Sequence, residues 1–244
     1  MQNVSPEKKA IIEQAFAEYP KICEIGDETL SKFAILTDFL LSENEKYNLT
    51  AIRSFDQAIR KHIYDSITVS PRIPEGARVI DVGSGAGFPA LPLAIIRPDL
   101  KITALDSTAK KVGFIEKAAE LLNLTNVAAV CGRAEELSAP GEPLRASFDV
   151  CVARSVAELR ILAEFCLPFV KEDGLFIAMK SKTAEHEIKE ASNAVKTLGC
   201  RAVPDEISLY RSGDDYRTVW IFKKTDKTPE KYPRAFAQIK KKPL

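Results

Sequence analysis

The run Val79-Ile80-Asp81-Val82 leads straight into Gly83-Ser84-Gly85-Ala86-Gly87-Phe88-Pro89. An apolar stretch, an acidic residue and then glycine at every second position admit few folds. Glycine has no Cβ and enters positive φ without steric cost, so such a loop lets a backbone pass very close to a ligand. The segment predicts the first strand, first turn and first helix of a nucleotide-type α/β fold, with an adenosine-bearing cofactor at the turn.

The rest of the chain supports that frame. Strand-like runs occur at 78–82, 101–105, 127–131, 148–153 and 174–180, separated by helical stretches near 88–97, 108–122, 156–169 and 184–198. Strands alternating with helices predict a mostly parallel sheet covered on both faces. In the helix after Asp106, Phe114, Ile115, Ala118 and Leu122 share one face. Two last strands, 205–211 and 216–223, are separated only by Ser212-Gly213-Asp214-Asp215, which is hairpin spacing. Before the sheet, residues 6–20, 27–46 and 55–70 read as helices. Leu30, Phe33, Leu36, Phe39 and Leu40 mark the apolar face of the second, and Asp27 is its expected N-cap. The expected fold is therefore α/β: a mostly parallel sheet with a C-terminal antiparallel hairpin, behind an N-terminal helical extension, a combination that by fold-level analogy resembles Rossmann-like class I methyltransferases. Segments 1–74, 75–224 and 225–244 are read as helical region, cofactor-binding domain and basic tail.

Composition narrows the chemistry. The five cysteines (Cys23, Cys131, Cys151, Cys166, Cys200) are widely and irregularly spaced, and with only His62 and His186 beside them no metal site is expected. No apolar window reaches the roughly 18 residues that a membrane span needs, and there is no secretory h-region. A cytoplasmic, monomeric protein with reduced thiols is expected. The net charge of +1 points to no partner, but the stretch Lys223–Leu244 holds eight basic and two acidic residues. That stretch could meet a phosphate backbone or be a solvated, frayed terminus.

The loop discriminates among cofactors. A dinucleotide fingerprint calls for glycine in the sixth place, where this chain has Phe88; its glycine stands in the fifth, at Gly87. No P-loop motif is present. The G-x-G-x-G form fits S-adenosylmethionine, which has no pyrophosphate to seat at the helix N-terminus. Asp106, at the end of the second strand, stands where a carboxylate can accept from two ribose hydroxyls, or can cap the next helix with Ser107. After the third strand, backbone groups at Ala134 and Glu135 could read an adenine edge, and Glu135-Glu136 also suits a helix start.

The fourth strand ends in Cys151-Val152-Ala153-Arg154-Ser155. Pyrimidine C5 methylation would need a nucleophilic cysteine, but Cys151 lies within an apolar run and reads as packed core. The Pro-Pro dipeptide common in exocyclic-amine methyltransferases occurs nowhere in the chain. Arg154 is left as a fixed cation at the mouth, either a site residue or half of a structural ion pair. Guanine N7 has a free lone pair and no proton to lose, so its methylation needs placement rather than a base.

These segments, together with Tyr47-Asn48-Leu49-Thr50, His62-Ile63-Tyr64-Asp65-Ser66 and Gly132-Arg133-Ala134-Glu135, resemble the GidB/RsmG family of bacterial methyltransferases that modify guanine N7 in the 530 loop of 16S ribosomal RNA. The resemblance runs from about residue 30 to the C-terminus. It implies S-adenosylmethionine contacts from Gly83 and Phe88, and Gly85 and Gly87 of the same loop are cofactor-binding candidates on the loop pattern itself. Asp106, Ser107 and Thr108 are implied at the ribose, Ala134 and Glu135 at the adenine, and Arg154 at the transfer cleft. The 16S RNA, or the small subunit, is the implied partner, with Arg53, Lys180, Lys240, Lys241 and Lys242 as candidate RNA contacts. His62 and Asp65, one helical turn apart, either face the site or brace the helical region against the sheet. Other acceptors, or a non-catalytic assembly role, stay open at this level.

Overall fold

Burial along the first strand, β1 (Arg78–Val82), is continuous after Arg78, the signature of a strand covered on both faces of a parallel sheet. The computed structural model describes residues 4–154, 157–181, 186–201, 204, 206–212 and 215–244. Among these, β1 is joined by β2 (Lys101–Asp106), β3 (Val127–Cys131), β4 (Phe148–Arg154), β5 (Val170–Ser181), β6 (Glu206–Ser212) and β7 (Asp215–Lys223). The sheet order is β3-β2-β1-β4-β5-β7-β6. β1 to β5 run parallel, and β7 is antiparallel to both β5 and β6. The expected α/β sheet with a terminal hairpin is thus the observed one. Its Gly213-Asp214 turn lies outside the described residues. Because the chain moves outward from β1 to β3 and then returns to place β4 on the other side of β1, the loops leaving β1 and β4 diverge. A crevice opens at that switch point.

The helical N-terminal part comprises α1 (Pro6–Ala17), α2 (Asp27–Tyr47) and a composite helix. The last runs from α3 (Phe55–Ala58) through a π-helical stretch, Ile59–Tyr64, into α4 (Asp65–Ile67). Asp27 is the first residue of α2 rather than its cap: Gly26 holds the N-cap position, and Asp27 and Glu28 lie in the first turn, where they complement the helix dipole. Ile12, Leu30, Phe33, Leu36, Leu40, Ile59 and Ile63 share one apolar core with Val79, Leu91, Leu93 and Ile115, so these helices cover one face of the sheet. The helices of the α/β part are α5 (Ala90–Ile96), α6 (Ala109–Leu121), α7 (Ala134–Leu137), α8 (Leu159–Cys166) and α9 (His186–Thr197). The other face is packed with Leu159, Leu162, Phe165, Ala191, Val195, Trp220 and Phe222.

The C-terminal stretch is docked. Tyr232 is buried, Ile239 of α10 (Phe236–Lys241) is fully buried, and the Arg234 guanidinium grips the fully buried Glu164 of α8 at 2.6 and 2.9 Å. Arg145 adds hydrogen bonds to the carbonyls of Tyr232 and Thr228, each 2.9 Å. The frayed-terminus expectation fails because apolar residues sit between the lysines and give the segment something to bury.

Candidate active site

The loop after β1 is held by its own backbone. Gly83 and Ser84 N–H both donate to Leu105 O, and Gly87 and Phe88 N–H both donate to Ser84 O. Gly83, Gly85 and Gly87 have φ of +74°, +61° and +82°, the region where a Cβ is penalised. At Gly87 a Cβ would also collide with the Leu91 side chain. Asp81 is fully buried beneath the loop, and its Oδ2 accepts from Ser84 Oγ (2.6 Å) and Ala90 N (3.1 Å). Burial raises its pKa to about 6, against the pull of those hydrogen bonds.

Two cavities share the crevice. The larger, about 360 Å³, is lined on one side by Asp106, Ser107 and Thr108 and on another by Gly132, Arg133, Ala134 and Glu135. Asp106 is buried; its Oδ2 accepts from Gly85 N (3.0 Å) and its Oδ1 from Thr108 N (2.9 Å). An ionised carboxylate has about four acceptor positions, so acceptor capacity remains for ribose hydroxyls. Glu135 Oε1 is buried without a hydrogen bond, with Arg133 Nη1 at ion-pair distance, 3.8 Å, so it keeps acceptor capacity for a donor such as an exocyclic amine. Paired carboxylates and a glycine-lined floor fit the adenosyl part of S-adenosylmethionine.

The smaller cavity, about 270 Å³, is lined by Leu49, Thr50, Ile52, His62, Asp65, Phe88, Met179 and Lys180, among others. The two cavities have Gly83 and Arg154 in common. Arg154 Nη1 donates to Lys61 O (3.0 Å) and Asp65 Oδ2 (2.9 Å), and its Nη2 lies 3.2 Å from His62 Nδ1. Arginine has only donors, so Nδ1 accepts and the His62 proton sits on Nε2, which donates to Thr50 Oγ1 at 2.8 Å. Thr50 is presented by Asn44, whose buried side chain bonds Thr50 N, Thr50 O and Ile52 O. Burial, with Arg154 adding, lowers the His62 pKa to about 3, so the ring is neutral at physiological pH. It stacks on Phe88 at 4.7 Å, and the Arg154 guanidinium lies 5.6 Å from the centre of the same ring.

The structure therefore gathers most residues singled out in the sequence. Gly83, Asp106, Ser107, Thr108, Ala134, Glu135 and Arg154 meet at the larger cavity, and Gly83, Gly85, Phe88, Arg154 and Lys180 at the smaller. Gly87 lines neither; its glycine is demanded by φ and by Leu91. Lys180 does not stand free for a phosphate: it is 7% exposed, with Nζ donating to Ala157 O (2.6 Å) and paired with Glu187 (2.8 Å). Cys151 is fully buried and its thiol is pushed up by burial, so it is core. Arg53, Lys240, Lys241 and Lys242 are exposed outside both cavities; Arg53 donates to Thr50 O at 2.7 Å. Ser155 and Val156 lie outside the described residues. Sequence reasoning missed Met179, Arg217, Phe165 and Phe236, which carry no motif and reach the cavities only through packing.

Comparison with known proteins bears on the family and the fold. A family model described as rRNA small subunit methyltransferase G matches residues 29–206. The ribosomal RNA small subunit methyltransferase G of Lacticaseibacillus paracasei is 41% identical over 235 residues, covering 95% of this chain and 96% of that protein. Its namesake in Clostridium botulinum is 41% identical over 224 residues, covering 91% and 93%. Among solved structures, M. jannaschii TYW2 in complex with AdoMet superposes with a TM-score of 0.55 at 14% identity, covering 71% of this chain and 79% of that one. A SAM dependent methyltransferase from Aquifex aeolicus gives 0.53 at 19%, covering 75% and 97%. These two likenesses concern the fold. The family match, by contrast, takes in the glycine loop, Asp106, Glu135 and Arg154, and the chain belongs to the rRNA small subunit methyltransferase G family.

Proposed function

We propose that this chain transfers the methyl group of S-adenosylmethionine to N7 of a guanine in the 530 loop of 16S ribosomal RNA. The observation that carries this reading is the junction of the two cavities at Gly83 and Arg154. One cavity has the acceptor set for an adenosyl group, and the other opens beside it between Phe88, Leu49, Ile52 and Met179, with apolar walls suited to a base. Held by the residues of the larger cavity, S-adenosylmethionine would supply an electrophilic sulfonium methyl for displacement.

The residues of the acceptor cavity act by placement. Guanine presents N7 and O6 as acceptors on one edge. Arg154 uses three of its five N–H groups on Lys61, Asp65 and His62 among the described residues, which leaves donors for O6 while N7 faces the methyl. The Asp65 and His62 contacts hold the guanidinium still, and positioning of this kind accounts for on the order of 7–11 kcal/mol in the best cases. His62 is not a base: its Nδ1 lone pair is taken by Arg154, and guanine N7 has no proton to remove. Exposed Arg53, Lys240, Lys241 and Lys242 are the proposed phosphate contacts.

Mass spectrometry of ribosomal RNA nucleosides from a strain lacking this protein is the test, with loss of 7-methylguanosine in the 530 loop as the expected result. Unchanged modification there, or transfer of labelled methyl by the pure protein to a different nucleoside, would overturn the reading.

A further inference from the structure

Phe236 is 41% exposed, one of three large apolar side chains so exposed among the described residues. It is also part of the wall of the larger cavity, alongside Phe165, Ala134 and Asp106. Its position is not accidental to a loose tail. Arg234, two residues earlier, bonds the buried Glu164 carboxylate through both its backbone N–H and its guanidinium, and Ile239, three residues later, is fully buried. The ring packs nearly parallel to Phe165, 6.1 Å between centres and 11° between planes. The Arg133 guanidinium lies 4.9 Å from its centre. An aromatic ring held from both sides of the sequence, yet left open at the mouth of a cavity, presents apolar area that a planar ligand would cover.

From this we infer that Phe236 is a cofactor-binding residue that packs on the adenine of S-adenosylmethionine, so that the C-terminal segment completes the site. The segment lies beyond residues 29–206, the part matched by the family model. The inference rests on the proposed cofactor occupying the larger cavity. Glu135 supplies a buried acceptor there, and Phe236 supplies the apolar contact that an acceptor alone does not. The Arg133 guanidinium, which lies over the ring and lines the same cavity, is itself a group that stacks on aromatic planes.

Calorimetric titration of the full-length protein with S-adenosylmethionine and with 5′-methylthioadenosine, which lacks the amino-acid end, tests it. Phe236→Ala is expected to weaken both ligands by the same factor, on the order of ten-fold, at a temperature where circular dichroism shows the variant fully folded. Phe236→Trp is expected to retain the affinity, and its added indole fluorescence to change on titration with the calorimetric Kd. Wild-type affinity in Phe236→Ala, or a Phe236→Trp protein that binds S-adenosylmethionine with no change in fluorescence, overturns the inference. A wild-type protein that binds neither ligand overturns instead the cofactor reading on which it stands.

Discussion

Arg154, the last residue of β4, donates from Nη1 to Oδ2 of Asp65 across 2.9 Å, joining positions 89 residues apart. Asp65 has a side chain only 4% exposed and Arg154 14%, so the pair is largely dry. The same guanidinium forms the wall common to both cavities, which couples the seating of the helical region to the shape of the site.

Removing Arg154 therefore has two effects. Loss of one partner from a buried pair costs about 3–5 kcal/mol, and Arg217, 4.0 Å from Asp65, should hold the loss near the lower end. Arg154→Ala is expected to lower urea-unfolding stability by about 3 kcal/mol. Methyl transfer should fall by about 100-fold or more under conditions where the variant is still folded, because the acceptor loses its alignment. Parallel denaturation and single-turnover assays separate the two.

At Gly87 the argument is steric. Alanine there meets both positive φ and the Leu91 side chain. Gly87→Ala should cost about 2–3 kcal/mol of stability, visible as a lowered melting temperature, whereas Gly113→Ala, where a Cβ has open space, should be neutral or stabilising.

For Asp106 the expected loss is in binding. A charged hydrogen bond is worth about 1.5–3 kcal/mol, so Asp106→Ala should weaken S-adenosylmethionine by about ten- to a hundred-fold in calorimetry. Unchanged affinity would remove Asp106 from the site.

Two buried groups give opposing pH dependences. The His62 pKa falls from 6.5 to about 3 on folding. Between those values the unfolded chain binds a proton that the folded one does not, so the His62 contribution is lost as pH drops below 6.5. The Asp81 pKa rises from 3.8 to about 6, so the folded chain binds the extra proton in that window and its contribution grows as pH drops. Each slope is about 1.4 kcal/mol per pH unit, and in the wild type they largely cancel. In urea unfolding from pH 6.5 to 4.5, Asp81→Asn should lose stability relative to wild type as pH falls, and His62→Gln should gain.

The lysines of α10 and its C-cap test the RNA partner. Changing Lys240, Lys241 and Lys242 together to glutamine should weaken RNA binding similarly across sequences. The slope of log affinity against log salt should become shallower by about one for each phosphate that is no longer neutralised. Affinity for S-adenosylmethionine should stay as in the wild type.

How much of this was legible in the sequence depends on how local the cause is. The glycine loop announced itself because positive φ and close packing restrict residue type one position at a time. Asp106 and Glu135 follow at the ends of the next strands, a placement the parallel sheet repeats. His62 and Asp65 were visible as a pair, but not their task, since it depends on a π-helical stretch that aims both at Arg154. Lys180, a candidate RNA contact in the sequence, is instead tied to Glu187 of α9, a pairing that no local pattern encodes. The lysine-rich terminus masked Tyr232 and Ile239, which dock it.

By itself the sequence determined the sheet and the class of cofactor loop, because periodicity and glycine conformation act over a few residues, and the resemblance of its motifs pointed to the family. Only the tertiary structure decided that Arg154 is shared by two cavities, that Lys180 is internally neutralised and that Phe236 lines the larger cavity. Each of these depends on side chains from distant segments meeting in a dry, packed interior, where a charge must find its partner and an aromatic ring its neighbour.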